Sequence, residues 1–325
     1  MEKRRNKLKA QRRATFLSGF FAILYYEFLW NLRKKKTIGL FLLIFAIATL
    51  ELALPPILDY YQGVTLQPNP NVVFNFYDGI SGIFLFLIAV ATTMNTISGE
   101  FETGSITPLL TKPVSKNTVF VGKLTASLIT LLAIYAFLTA YVTVGGYFIE
   151  GTQNNLQLVP LGLVGLTLAT MVWASVVILL GTLSKSSLVA ALGSFGVWIG
   201  ITIAGGLLSG LLGQTAILFY APGMGATGST TGCGGEAGFG GGTSFSTGTD
   251  NLGYLLMQWV LNPDSTLNFC GVRFRGGSMA ETFLSSSSTF ADVALRALGV
   301  TAVYLAVLLV VSWYAFHRSQ IIESA

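Results

Sequence analysis

Few residues of this chain have types and spacing suited to chemistry, and most of those lie in one stretch. Residues 98–123, SGEFETGSITPLLTKPVSKNTVFVGK, form a polar island between two long apolar runs. The island holds the acids Glu100 and Glu102, the bases Lys112, Lys116 and Lys123, and the prolines Pro108 and Pro113. Residues 100–110 predict a helix of about three turns, with its acids in the first turn where the helix dipole favours them, weakened by Pro108 and stopped by Pro113. Phe101, Ile106, Leu109 and Leu110 offer an apolar knob, and Glu100, Glu102, Lys112 and Lys116 can fix its register against a partner. The chemistry is that of docking; a merely solvated loop is the alternative. Elsewhere the candidates are sparse. Glu51 sits inside an apolar run, where an acid is costly and therefore a functional candidate; it also has the option of reaching the outer interface or bonding a neighbouring helix. No G-x-x-x-x-G-K-[ST] occurs, so no P-loop binds nucleotide here, and no H-E-x-x-H occurs. The single histidine, His317, reads as an interface residue. Two cysteines, Cys233 and Cys270, are too few for a metal site. Glu51, Asn95 and scattered hydroxyls are too thin a set for catalysis.

The order Glu100, Glu102, Gly104, Ser105, Leu109, Leu110, Pro113, Val114, Ser115, Lys116, Gly122, Lys123 resembles the cytoplasmic loop after the second span of ABC-2 type transporter permeases, the group that includes NosY-like subunits. The pattern there is E-x-E-x-G-T-(L/I)-x-x-L-L-x-x-P-(V/I)-S-R followed by G-K, with Ser105 here in place of Thr and Lys116 in place of Arg. The resemblance implies a membrane subunit without catalytic residues or cofactors of its own. ATP and Mg would be held by a separate ABC ATP-binding subunit, with Glu100, Phe101, Glu102, Gly104, Ser105, Leu109, Leu110, Pro113 and Lys116 coupling the two. It also implies a second permease copy, as a homodimer or with a related permease. Export of a lipid, hydrophobic peptide or drug-like substrate is the expected function. A non-transporting anchor that passes mechanical work to an outer partner is the alternative.

The elements that must position this loop are membrane spans. The 325 residues are 52% hydrophobic and only 10% charged, against roughly 25% charged in a soluble domain. Lys and Arg gather at positions 3–13, 33–36, 112–123, 185 and 318, which marks the cytoplasmic side. Attraction of the basic amino-terminal region to anionic headgroups, rather than to nucleic acid, follows from what comes after it. Residues 16–33 are apolar but interrupted by Glu27, Asn31 and Arg33 and bracketed by cations at both ends; they predict a helix lying in the interface, with a true span as the alternative. Spans are predicted at 37–58 (closed by Pro55 and Pro56), 79–97, 119–148, 158–183, 188–212 and 292–316, each near the ~20 residues needed to cross. The expected class is an all-α polytopic protein with six spans in the plasma membrane and both termini cytoplasmic. It reads as a single domain: a basic tail and interfacial helix at 1–36, five spans within 37–212, an outer segment at 213–290, and the last span with a short tail at 291–325.

Two further features await a role. Span five carries G-x-x-x-G spacings at Gly196 and Gly200 and at Gly206 and Gly210, which let helices approach closely in lipid. A subunit interface, the wall of a passage, and ordinary packing within the chain are all open, and the resemblance favours an interface. The outer segment is Gly-, Ser- and Thr-rich over 223–250 and reads as flexible there. Residues 251–262 are apolar for about three turns, with Asp250 as candidate N-cap and Pro263 as stop, the length of a re-entrant or interfacial helix. Both cysteines fall in this segment, outside the membrane, where a Cys233–Cys270 disulfide is permitted.

Overall fold

A computed structural model describes residues 16–63, 68–104, 115–212, 218–230, 244–275 and 278–318. Its helices in chain order are α1 (Phe16–Arg33), α2 (Lys35–Gln62), α3 (Val72–Gly79), α4 (Ile83–Thr93), α5 (Ser98–Glu102), α6 (Lys116–Glu150), α7 (Val159–Ser184), α8 (Ser187–Leu212), α9 (Leu252–Leu261) and α10 (Phe290–Arg318). Six stretches are long and apolar enough to cross a membrane: α2, the run Ile83–Glu102 that includes α4 and α5, α6, Leu156–Ser184, Ser187–Leu208, and α10. This is the helical, six-span architecture expected from hydropathy.

The spans differ in what they bury. The α7 span is the central one, 67% buried over its most apolar window, whereas α2, α8 and α10 leave about four-fifths of theirs outward. Trp173 and Met171 of α7 join the main core with Phe86 and Leu85 of α4, Tyr135 and Leu138 of α6, and Leu255 of α9. Tyr135 and Thr170 bond hydroxyl to hydroxyl at 2.6 Å, and Tyr77 donates to the Val159 carbonyl at 3.1 Å. These buried hydroxyls are thus satisfied between helices, as an apolar interior demands.

Several local expectations are corrected. Pro55 and Pro56 lie inside α2 and do not close it. Proline's fixed φ is itself helical; it removes only the N–H that would bond the carbonyl four residues back, weakening a helix rather than ending it. The stop comes at Gly63, left-handed at φ 68°, whose N–H caps the last turn. The outer loop expected over 59–78 contains α3, with Val73, Phe74, Phe76 and Tyr77 all buried. Left-handed Gly82 then turns the chain into α4, so the second span begins at Ile83.

The outer segment also departs from expectation. It is not helix and coil alone: β1 (Thr227–Ser229), β2 (Ser244–Ser246), β3 (Thr266–Arg275) and β4 (Ser278–Thr289) form an antiparallel sheet of order β2-β1-β3-β4. Leu267 and Phe269 point from β3 into the core, and Phe269 meets Phe219 edge-on at 4.9 Å. The short apolar helix is present as α9, with Leu252–Met257 buried, and it ends before Pro263. Its N-cap position is Asn251, without a side-chain cap bond; Asp250 lies in the preceding 3-10 turn, Thr249–Asn251.

Helices α7 and α9 meet backbone to backbone. A Cβ at Gly165 would stand 2.7 Å from the Cα of Gly253 and 2.9 Å from the Leu252 carbonyl oxygen. Both obstacles are backbone, so neither can swing aside. Gly165→Ala is therefore expected to cost roughly 3 kcal/mol, the upper end for an added methyl in a packed core, read as a lower Tm in detergent. Gly299→Ala, at an exposed position in α10, whose Cβ would meet nothing within 4 Å, serves as the neutral control.

Candidate functional site: the polar network at the ends of the spans

The predicted coupling stretch is only partly described, and what is seen is a clamp. Helix α5 is a single turn that ends at left-handed Gly104, with the Gly104 N–H reaching the Phe101 carbonyl at 3.4 Å. The three-turn helix expected over 100–110 is thus broken at its fifth residue, because glycine takes the left-handed cap at no steric cost. Ser105, Ile106, Pro108, Leu109, Leu110, Lys112 and Pro113 lie outside the described residues.

Three of the predicted residues turn inward. Glu100 accepts a 2.7 Å bond from Lys123 Nζ, which also donates to Glu27 Oε1 at 2.5 Å. This triad ties α5 to α6 and α1. Lys123 and Glu27 side chains are 4% and 8% exposed, so each charge is satisfied by the other rather than by water. Gly122 makes the approach feasible: a Cβ there would press on Ile23 of α1 at 3.0 Å. Phe101 packs edge-on against Phe316 of α10 and lies 5.6 Å beneath Lys185 Nζ. Around it Ile97, Val119, Phe120 and Ile178 form a second, smaller core. Beside the triad, Lys34 donates to Asn31 Oδ1 at 2.7 Å; burial lowers its pKa to about 8, with Glu27 opposing.

Glu102 is exposed and reaches another span. Its two carboxylate oxygens accept from the backbone N–H and the hydroxyl of Ser187, both at 2.6 Å. Ser187 opens α8, so Glu102 supplies acceptors to otherwise unpaired N-terminal donors of span five. Lys116 begins α6, and Ser115 caps it, its Oγ accepting from the Thr118 N–H at 3.1 Å. The S-x-x-T spacing of that cap was readable in the sequence and was missed.

At the opposite end of the spans, Glu51 places its carboxylate in the space a Cβ at Gly79 would need. Next to it, Asp78 of α3 accepts from Asn251 Nδ2 at 2.5 Å, and Asp250 accepts from Ser246 Oγ at 3.0 Å. The Asn251 bond joins α3 to the approach of α9. Burial pushes the Asp78 carboxyl up to about 6, the Asn251 bond opposing, and burial likewise raises Asp250. A raised folded-state pKa means that the folded state holds a proton the unfolded state releases. Stability from this group is therefore lost as pH rises from about 3.8 to about 6. Asp78→Asn keeps the acceptor and removes the charge. It is expected to raise Tm at pH 7.5 and leave it unchanged near pH 4, as measured by thermal unfolding at both pH values.

Part of the glycine face of α8 is open among the described residues: added Cβ atoms at Gly196 and Gly200 would meet nothing within 4 Å, and both positions are exposed, as is Gly206. Gly210 lies in the same helix. Cys270 lies in β3 opposite Leu284, while Cys233 lies outside the described residues; no disulfide is found among the described residues. No cluster of three or more His, Cys, Asp or Glu suited to a metal occurs among them either.

No curated protein matches the chain. The family model described as ABC-2 family transporter protein matches residues 21–321, from within α1 to beyond the end of α10. That match takes in all six spans and the clamp between them, and the chain belongs to the ABC-2 family of transporter proteins, as a multi-pass permease subunit of an ABC transporter.

Proposed function

We propose that this permease exports an apolar substrate (a lipid, hydrophobic peptide or drug-like molecule) and is driven by a separate subunit that holds ATP and Mg. The observation that carries the reading is the clamp. Residues 98–104 are bonded through Glu102 to the start of α8, through Glu100 to α6, and packed through Phe101 on α10. A force applied there by the ATPase acts on three spans at once. Two copies, or this chain and a related permease, pair along the open glycine face of α8. The passage lies at that pairing, and Glu51 stands near its outer end. Both termini face the cytoplasm of a cell bounded by this membrane, as the placement of Lys and Arg supports. A Cys233–Cys270 bridge would close the outer loop.

The test is gentle purification from native membranes with mass spectrometry of what accompanies the chain. Two ABC ATPase copies per two permeases is the expected result; absence of any ATPase would overturn the reading. The ordered outer sheet, with β2 and β4 as its edges among the described residues, favours a second reading, an anchor that delivers mechanical work to an outer protein. Co-purification of such a protein with the ATPase, in a complex without transport, would select it.

A further inference from the structure

The corner between α1 and α2 combines three features that belong together at one kind of ligand. The first is an apolar slot of about 280 Å³, walled by Leu32, Ile38 and Phe41 on one side and Ala133 and Phe137 on the other. Ile38 and Phe137 are themselves 45% and 54% exposed, so the slot opens sideways, toward where lipid chains lie, and not into the core. The second is charge. Arg33, Lys35 and Lys36 sit at the slot's end, all exposed, and none has a carboxylate within 4.0 Å among the described residues. No acid occurs between Glu27 and Glu51 in the sequence, and Glu102, whose charge interacts with Lys36, lies beyond ion-pair distance of it. The third is a buried polar atom in the slot wall without a hydrogen-bond partner among the described residues, Thr37 Oγ1. Thr37 is 5% exposed, and a buried donor left unpaired is costly.

We propose that this corner binds one anionic phospholipid from the adjoining leaflet. Its phosphate rests on Arg33, Lys35 and Lys36, an ester oxygen accepts from Thr37, and one acyl chain fills the slot. Each part answers an observation that the others leave unexplained. Basic residues alone would draw any anionic surface, and the slot alone would take any hydrocarbon. The orphaned Thr37 hydroxyl in the slot wall falls where a glycerol backbone carries its acceptors. The lipid would brace α1 against α2 and α6, next to the Glu27–Lys123 pair, and so steady the base of the clamp.

The test is native mass spectrometry of the full chain equilibrated in detergent with equimolar phosphatidylglycerol and phosphatidylcholine. One phosphatidylglycerol is expected to be retained in preference to phosphatidylcholine. Lys35→Gln with Lys36→Gln, both exposed, should cut that preference roughly tenfold or more, since each basic residue near anionic lipid contributes about a fivefold factor. Ala133→Phe fills the slot and should cut retention of both lipids. Equal retention of the two lipids by the wild type would overturn the proposal, as would unchanged phosphatidylglycerol retention in the double glutamine variant.

Discussion

Lys123→Met is expected to be among the most damaging single substitutions in the chain. It removes the cation that both Glu27 and Glu100 bond, and takes it from two carboxylates whose side chains are 8% and 21% exposed. Breaking a buried ion pair from one side costs about 3–5 kcal/mol, because the surviving charge loses its partner and does not regain water. Here two charges survive. Lys34, held 2.7 Å from Asn31, is close enough to interact with both acids but keeps its own partner. The variant should therefore accumulate poorly and unfold at a much lower temperature in detergent. The control is the triple variant Glu27→Gln, Glu100→Gln, Lys123→Met, in which no charge is left to strand. Its Tm should recover most of the loss, since replacing a whole buried ionic group is often close to neutral. A single Lys123→Met with wild-type Tm would show that the triad does not hold α1 and α5 onto α6.

That triad illustrates what a sequence conveys and what it withholds. Glu27 stands out as an acid interrupting an apolar helix, and Lys123 as the base closing a G-K pair, but 96 residues separate them. Nothing in composition or periodicity states that they meet. The same holds for Glu102 and Ser187, 85 residues apart. The spans were legible because each is a long apolar run with cations or turn residues at its ends, and lipid demands such runs wherever the chain crosses. Helix α3 was not, because Asn71, Asn75, Asp78 and Gly79 punctuate it like a loop; its helical character comes from burying Val73, Phe74, Phe76 and Tyr77. The strands left a trace that went unread. Apolar residues in 266–275 alternate as Leu267 and Phe269, then change phase to Cys270, Val272 and Phe274. The register shift in the β3–β4 ladder lies between Phe269 and Cys270, where the phase changes. The partner strand carries four serines in 285–288, which give no alternation at all. Among the glycines, the G-x-x-x-G pair Gly196 and Gly200 of span five faces outward, while the backbone contact between α7 and α9 uses Gly165 and Gly253, which share no such spacing. Spacing reports that a helix has a smooth face and does not report which neighbour meets it.

Glu102→Ala should leave the fold intact and remove the function. The side chain is exposed, so its loss strands no buried group, and Tm is expected to stay at the wild-type value. What disappears is the connection: the bonds to the Ser187 N–H and hydroxyl are the described polar links between α5 and α8. The Lys123–Glu100 bond would still hold α5 on α6, so the ATPase would keep its docking place and continue to hydrolyse ATP. The start of α8 would no longer follow. Energetic coupling between distant sites typically corresponds to 5- to 150-fold effects, so transport per ATP hydrolysed should fall at least ~fivefold in proteoliposomes. A readout that needs no substrate is the ATP-driven change in distance between spin labels at Leu192 on α8 and Val164 on α7, both exposed. It should be present in the wild type and lost in Glu102→Ala. Ser187→Ala removes one of the two bonds and keeps the backbone donor, so it should lie between them. Combining the two substitutions should do no more than Glu102→Ala alone, since both act on one link. Independent, additive losses would mean that the force reaches α8 by another route, and an unchanged distance shift in Glu102→Ala would remove the clamp from the mechanism.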